Sequence, residues 1–356
     1  MKKTFTKLAV LLFISASVYA QKVDLDRASF SYTYRDLPTN PLDQTYKTYS
    51  SVIIATSSVK ANYSDDQFKS GIAIEGWRRV ENNAHVIITA NIDDVIIDAS
   101  EVKERVDISK DKNGKETGRK YYYWLEMQYS FAANAKVADL KGNVIDQKIT
   151  LADRTSKNSF KSDEFGSYEG AANYFNNNKT SLKSRFIREQ TNAALANLSR
   201  YLGDRYGYVV RKGTDILWIQ DSKKHPEYQT YQDNFKAFKD AMSEMKSDEP
   251  VGAIKEKLKG FISYLEEIPT KYAADEKADK KLRYASYYNL AQIYLYLDDP
   301  TQTMAYAEKL ITNDYDAKDG KTLLKAAQDL QALFEKNKSN SRHFTPESSI
   351  AQISEN

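Results

Sequence analysis

The chain has 356 residues, with 52 lysines and arginines against 49 aspartates and glutamates, and it has no cysteine. This length is enough for two domains of ordinary size. The near-neutral charge argues against a nucleic-acid partner, because such binders concentrate positive charge on one face. The lack of cysteine excludes disulfides, a cysteine nucleophile and a lipid-bearing cysteine after a signal sequence.

The first 20 residues have the pattern of a secretory signal peptide. Three lysines precede or flank the start of an uncharged apolar stretch over residues 8–18, and the small residue Ala20 stands before Gln21. The stretch is shorter than the roughly 20 apolar residues that span a bilayer. We expect the signal peptide to be cleaved after Ala20 and the mature chain to be delivered to the periplasm. We expect no integral membrane segment in the mature chain. Secretion into the medium is the alternative location, and an uncleaved N-terminal anchor is the competing interpretation.

Residues 51–151 alternate between apolar and polar side chains, as half-buried strands do. The clearest alternating run covers residues 86–92. Asn113-Gly114 and Gly142-Asn143 stand between such runs, and these residue types tolerate the positive φ of tight turns. We predict two consecutive hairpins in a mainly antiparallel sheet.

A covering helix follows the predicted sheet. Residues 153–180 are polar and predict a loop with one short helix at most. Apolar residues then recur at helical spacing over 182–202. Residues 208–219 predict one or two final strands, with Gly213 at a turn. Together these elements predict an α+β domain over residues 21–222.

The sequence pattern of residues 223–337 predicts consecutive helices with short breaks, which is typical of helical hairpins. Asp298-Asp299-Pro300 separates a third helix from a fourth, and a fifth is predicted over about 319–336. Residues 338–356 are rich in serine and asparagine and are predicted to form a disordered tail.

One helical pair carries a recognisable motif. Tyr287 stands at a large aromatic position, Leu290 and Ala291 form a large-small pair, and Tyr294 supplies the next aromatic on the same helix face. The small Ala291 allows a neighbouring helix to approach closely. The segment 287–315 therefore resembles one unit of the tetratricopeptide-repeat (TPR) family.

The segment departs from that family in its second helix. Thr303, Ala307 and Leu310 stand where the family prefers a small residue, an aromatic and a small residue, and Tyr315 replaces the closing proline. One repeat onward, Lys325 stands at a small-residue position, which indicates a capping helix. The resemblance covers roughly 110 residues, or about two units plus a cap.

The resemblance implies an all-α array of helical hairpins with a concave groove that holds a peptide or helix of a protein partner. Tyr287, Tyr294 and Tyr306 are the candidate binding residues of this array. A structural lid on the first domain is the alternative role for the stacked hairpins. The first domain resembles no family that we can name.

The run from Tyr121 to Trp124 is the most suggestive feature of the first domain. On a strand, Tyr122 and Trp124 face one way and the two tyrosines beside them face the other, so only one set can lie in the core. The outer set could stack on sugar rings or anchor a protein, and Tyr122 and Trp124 are the candidate binding residues of this strand. Ordinary cross-strand packing is the competing interpretation.

Catalytic chemistry has little support in the sequence. The three histidines, at positions 85, 225 and 343, stand in no metal-ligand spacing, and no glycine-rich phosphate loop is present, so we expect no metal and no cofactor. Paired carboxylates can hydrolyse glycosides, and turns are rich in aspartate for local reasons. The acidic clusters considered are Asp93-Asp94, Asp98 and Asp163-Glu164.

The sequence thus favours an exported, non-enzymatic binding or scaffold protein of the cell envelope that docks protein partners on its TPR-like array. A periplasmic glycan-binding module that uses the Tyr121–Trp124 strand is the alternative. A carboxylate-dependent hydrolase is the least favoured reading of the three.

Overall fold

The computed structural model describes residues 22–346, so the predicted signal peptide and residues 347–356 lie outside the described residues. Within them the chain is mixed α+β, with antiparallel sheets and C-terminal helices, as the sequence predicts. It divides into two compact units. We call residues 22–34 and 212–335 the helical unit, and residues 35–211 and 336–346 the sheet unit.

The strands, in chain order, are β1 Leu25–Arg35, β2 Thr48–Ala55, β3 Arg78–Arg79, β4 Val86–Ile92, β5 Ile96–Lys110, β6 Glu116–Ser130, β7 Ala133–Asp139, β8 Val144–Ala152, β9 Lys157–Lys161 and β10 Val210–Gln220. The helices are α1 Ser57–Lys60, α2 Asp65–Ser70, α3 Tyr168–Tyr206, α4 Tyr228–Ser243, α5 Gly252–Lys271, α6 Lys277–Tyr296, α7 Pro300–Thr312 and α8 Ala317–Asn337.

The sheet unit contains a five-stranded sheet in the order β3-β2-β4-β7-β8 and a three-stranded sheet in the order β5-β6-β9. All pairs are antiparallel except that β2 runs parallel to both β3 and β4. Both predicted hairpins are confirmed. Gly114 and Gly142 have φ of +80° and +86° in the β5–β6 and β7–β8 turns, where a side chain would be strained.

Helix α3 covers the sheets and starts earlier than the sequence predicts. The expected loop over 153–180 is wrong, because β9 and the first turns of α3 lie there. Ser167 caps the helix by accepting a hydrogen bond from the Gly170 N–H at 3.1 Å. Ala171 is fully buried, so tertiary packing overrides the weak helix propensity of the asparagines that follow. Further along, Phe186 stacks on Tyr129 of β6 at 4.2 Å between ring centroids.

In the helical unit, α4 packs on α5, α5 on α6, and α6 on α7. The break predicted at Asp298–Pro300 is confirmed. Asp299 accepts a hydrogen bond from the Gln302 N–H at 3.0 Å, and Pro300 occupies the first helical position, where no N–H is needed.

Strands β1 and β10 form a two-stranded ribbon that belongs to the helical unit, so the compact units divide the chain differently from a boundary at residue 222. The reason is burial: Phe30 and Leu217 lie in the same apolar cluster as the helices. Gly213 is not at a turn. It lies inside β10, where a Cβ would come within 2.7 Å of the Tyr32 ring, so the glycine permits this close approach.

Asn289 of α6 holds the ribbon against the helices. Its side chain is fully buried, its Oδ1 accepts from the Trp218 N–H at 2.9 Å, and its Nδ2 donates to the Trp218 carbonyl at 2.7 Å. The same Nδ2 lies 3.1 Å from the Tyr231 hydroxyl oxygen. One amide thus satisfies both main-chain groups of Trp218 on the edge of β10 that does not pair with β1.

Residues 338–346 differ from the disordered tail predicted there. The Arg342 carbonyl accepts from the Arg35 N–H at 2.9 Å, and the Phe344 carbonyl accepts from Arg35 Nε at 3.0 Å. His343 is 2% exposed. Serine-rich composition predicts disorder, but the buried His343 and the contact of the Phe344 ring with Tyr208, at 5.4 Å between ring centroids, hold this stretch in place.

We predict that Asn289→Ala lowers the free energy of unfolding by about 2 kcal/mol or more, because it leaves the partly buried N–H and C=O of Trp218 without their side-chain partner. Urea unfolding followed by circular dichroism measures this. The control is Asn234→Ala, which removes an exposed side-chain hydrogen bond within α4. A loss below about 0.5 kcal/mol for Asn289→Ala would contradict the assigned role.

Candidate functional site

The structure brings together the predicted tyrosines of the helical unit. Tyr294 of α6 and Tyr306 of α7 stack with 5.6 Å between ring centroids. The Tyr306 hydroxyl donates to Glu266 of α5 at 2.6 Å, and burial together with this hydrogen bond raises the pKa of Tyr306. Tyr306 is 7% exposed. Tyr294 and Tyr306 therefore act first as packing residues that join three helices.

Tyr287 lies about two turns before Tyr294 on α6 and borders a groove. The groove has a volume of about 540 Å³. Its lining residues come from the α5–α6 connection, from α6, and from the end of α7 and the turn after it: Ala273, Asp275, Lys280, Arg283, Tyr287, Lys309, Thr312, Asn313 and Asp314. Tyr287 is half-buried, and burial raises its pKa.

Most polar side chains of this groove are already engaged. The Arg283 guanidinium donates to the Tyr272 and Ala274 carbonyls at 2.5 and 2.7 Å, and its Nε donates to Asn313 at 2.9 Å. Lys280 is paired with two aspartates of the groove at 3.0 and 3.3 Å. These contacts make the groove rigid, because they fix the connection before α6 against the turn after α7.

Lys309 is the exception in the groove. Its Nζ lies 4.6 Å from the centre of the Tyr306 ring, and within residues 22–346 it forms no ion pair. The groove thus contains a half-buried phenol ring, Tyr287, and a cation, Lys309, that has no carboxylate partner among the described residues. This pairing suits a ligand segment with an apolar group and a carboxylate.

Tyr122 and Trp124 belong to the sheet unit and lie on the solvent side of β6, opposite the buried Leu125. Cations already cover both rings. Arg105 and Lys120 lie 4.7 and 4.8 Å from the Tyr122 ring centre, and Lys161 lies 4.1 Å from that of Trp124. A sugar ring would have to displace these cations before it could stack, so the strand favours a structural cation–π role over glycan binding.

Four of the five acidic residues considered for hydrolysis form ion pairs. Asp93 pairs with Arg154 at 3.4 Å and Asp94 with Lys183 at 2.7 Å. Asp98 pairs with Lys157 at 3.0 Å. Glu164 pairs with Arg105 at 3.2 Å, while its neighbour Asp163 forms no ion pair within residues 22–346. In the same range, no group of three histidine or acidic side chains is placed to hold a metal ion.

The structure reveals one buried polar cluster that the sequence analysis missed. Glu227, 3% exposed, accepts hydrogen bonds from the hydroxyls of Tyr264 and Tyr272 at 2.8 Å each and is paired with Lys271. Burial acts to raise the pKa of Glu227, and these three donors outweigh it, so its pKa lies below the ordinary value. The donors stand far along the chain, and no local pattern around Glu227 indicates them.

His225 joins this cluster. Its Nδ1 accepts from the Glu227 N–H at 3.2 Å, and its ring is 4% exposed. Burial lowers the pKa of His225, because the charged imidazolium loses solvation. The cluster fixes the start of α4 onto α5, and none of its residues lines the groove beside Tyr287. We therefore assign the cluster a role in stability.

Comparisons with known proteins place few constraints on function. No family model and no curated protein matches the chain. Among solved structures, the chain is similar to a minor lipoprotein from Acinetobacter baumannii, at 13% identity over 46% of this chain and 97% of that chain, with a TM-score of 0.21. A likeness at this score carries no argument about fold or function. Within the described residues, no helix is long and apolar enough to cross a membrane.

We predict that His225 makes stability depend on pH. Its pKa is lower in the folded chain than in the unfolded chain, so its contribution is present above about pH 6.5 and is lost as the pH falls toward the folded value. Between about pH 7.5 and about pH 5.5 this loss is at most roughly 1.4 kcal/mol. His225→Asn keeps a side-chain acceptor and should flatten the dependence. Urea midpoints at both pH values measure it, and an equally steep loss in the variant would contradict the assignment.

Proposed function

We propose that the chain is an exported, non-catalytic binding protein whose helical unit docks a segment of a protein partner in the groove beside Tyr287. The observation that carries this proposal is the groove itself, in which Tyr287 and Lys309 are presented on a rigid frame. The TPR resemblance of residues 287–315 supports the same use, since arrays of that family hold peptides or helices in a groove.

The chemistry of the groove specifies the partner. Tyrosine offers a large, rigid contact area at a low entropic cost, so Tyr287 is suited to be the anchor of a small interface. Lys309 favours a carboxylate on the bound segment. Asp275 and Asp314 share Lys280, so the three side chains leave one negative charge at the groove rim, which favours a nearby cation. The expected ligand is therefore a polypeptide segment of mixed charge with one apolar side chain.

The expected location rests on the sequence. A cleavable signal peptide over residues 1–20 would deliver the chain to the periplasm, where the partner would belong to an envelope assembly. The glycan-binding alternative on β6 is disfavoured, because the exposed faces of Tyr122 and Trp124 are covered by cations. We assign no reaction to the carboxylate clusters.

We predict that Tyr287→Ala and Lys309→Glu each reduce recovery of a defined set of partner proteins by about tenfold, the loss typical of one interface anchor. The measurement is affinity purification of the tagged full chain from crosslinked source cells, quantified by mass spectrometry. Lys259→Glu is the matched control, because Lys259 is exposed on α5 and its one ion pair among the described residues is with Glu256 of its own helix.

Point variants are preferable to truncation after Asp221, because removal of the helices would expose Phe30 and Leu217 of the ribbon. Urea midpoints within about 1 kcal/mol of the unchanged chain would show that the variants still fold. Recovery of the same proteins by Tyr287→Ala, Lys309→Glu and the control would contradict docking in this groove.

A further inference from the structure

Strand β2 has one paired edge and one edge that is mostly unpaired. On one side β4 pairs with it over Tyr49–Ala55. On the other side β3 pairs only with Thr48 and Tyr49. Within residues 22–346, no strand lies beside the remaining residues of β2 on that side.

The hydrogen bonds around β2 show which main-chain groups face the unpaired edge. The Lys47 carbonyl accepts from the Arg78 N–H at 3.1 Å, and the Tyr49 carbonyl accepts from the Val80 N–H at 2.9 Å. Main-chain groups alternate sides along a strand, so odd-numbered residues of β2 point toward this edge. The N–H and C=O of Ser51 and Ile53 are therefore available to an added strand.

A groove of about 300 Å³ runs along this edge. Ser50–Ile53 form one side, and Asp65, Lys69 and Arg79–Glu81 line the rest. The ion pair between Lys69 and Glu81, at 2.6 Å, lies on the far side. The Ser51 Oγ is buried and has no hydrogen-bond partner among the described residues. The groove thus continues the line of β3 and contains polar groups that lack partners.

Strand β2 itself carries none of the residues that normally protect an edge strand, and the charged side chains near this edge belong to α2 and to Arg79–Glu81. Residues 50–55 contain no charge and no proline, and Val52 and Ile54 are 48% and 57% exposed on the same face. The opposite edge of this sheet is protected. There β8 carries Asp146 and Lys148, and its pairing with β7 has three register irregularities.

We propose that the β2 edge is a docking site for one extended segment of a partner polypeptide, which adds to the five-stranded sheet as a strand beside Ser51–Ala55. The site is in the sheet unit and does not depend on the proposed function of the helical groove. Strand addition satisfies the main-chain groups of Ser51 and Ile53, and side chains at alternate positions of the segment supply specificity.

The geometry favours a single segment over a second copy of this chain. In a second copy, as in this one, β4 lies directly beside β2. If β2 of that copy entered the groove, its β4 would have to occupy the space of the wall that Lys69 and Glu81 form. An isolated segment has no such neighbour. Its outward side chains would lie beside Val52 and Ile54, which favours β-branched apolar residues, and its inward side chains would lie near Ser51, which favours serine or threonine.

The test uses the full chain and a fluorescein-labelled hexapeptide that alternates valine and threonine. We expect a Kd of roughly 10–100 µM by fluorescence anisotropy. Methylation of alternate peptide nitrogens should weaken binding about tenfold or more, because it removes the donors that face β2. Hydrogen exchange should slow at the Ser51 and Ile53 amides when the unmethylated peptide binds.

Two variants test the protein side. Ile53→Pro removes an N–H that faces the unpaired edge and leaves the β2–β4 ladder intact, and Val52→Lys places a charge on an exposed position. Each should weaken peptide binding about tenfold or more. Val144→Lys is the control, because Val144 is 55% exposed on the opposite edge strand and should change nothing.

Three results would overturn the proposal. The first is no binding of the peptide up to roughly 1 mM. The second is equal binding of methylated and unmethylated peptides. The third is self-association of the chain that Val52→Lys abolishes, which would assign the edge to a second copy. Slowed exchange at Ser51 and Ile53, together with loss of binding in Val52→Lys, would support it even if Ile53→Pro fails to fold.

Discussion

A buried tyrosine hydroxyl needs a hydrogen-bond acceptor within the protein. The packing of both units depends on hydrogen bonds from such hydroxyls to carboxylates. An unsatisfied buried hydroxyl costs about 1–3 kcal/mol. The chain has 26 tyrosines, and carboxylates on other elements accept from several of the buried ones. In the helical unit these pairs include Tyr284–Asp319, Tyr296–Asp215 and Tyr306–Glu266, at 2.6 to 2.7 Å. The two tyrosines that donate to Glu227 belong to the same group. In the sheet unit, Asp146 accepts from Tyr201 and Tyr206 at 2.9 and 2.5 Å.

Each of these pairs joins two elements, so the hydroxyl positions specify which faces meet. Asp319 holds the start of α8 to α6, Asp215 holds the ribbon to α6, and Glu266 holds α5 to α7. Helix α6 is thus fixed on several sides, which keeps Tyr287 at the groove in one position. A binding site on a rigid element loses less conformational entropy when a partner docks. The same network that stabilises the helical unit therefore supports its proposed use.

The sequence predicts the parts of the fold that depend on local pattern. Alternation over 86–92, the turn glycines at 114 and 142, and the break at Asp298–Pro300 each follow from residue type and spacing, and each is confirmed. The start of α3 is not predicted, because its first turns are polar and the burial of Ala171, which favours a helix there, is a tertiary effect. The placement of β10 with the helices depends on Asn289, whose partner Trp218 stands 71 residues away.

The sequence likewise predicts only part of the candidate site. The TPR-like sequence indicates Tyr287, Tyr294 and Tyr306 as candidate binding residues. Their different roles are visible only in the contacts: Tyr294 and Tyr306 pack against each other, whereas Tyr287 borders the groove. Sequence could not indicate Lys309, because its importance comes from the lack of an ion-pair partner among the described residues. The unpaired edge of β2 was equally hidden, since the sequence does not reveal that β3 has only two residues.

The most direct test of the account is site-specific photocrosslinking from position 287 of the full chain in source cells, with a photoreactive phenylalanine in place of Tyr287. The account predicts a discrete crosslinked product that contains a second polypeptide. The same group at exposed Lys259 on α5 should not give that product. Crosslinks from position 287 only to this chain itself, or the same products from both positions, would contradict a docking groove beside Tyr287.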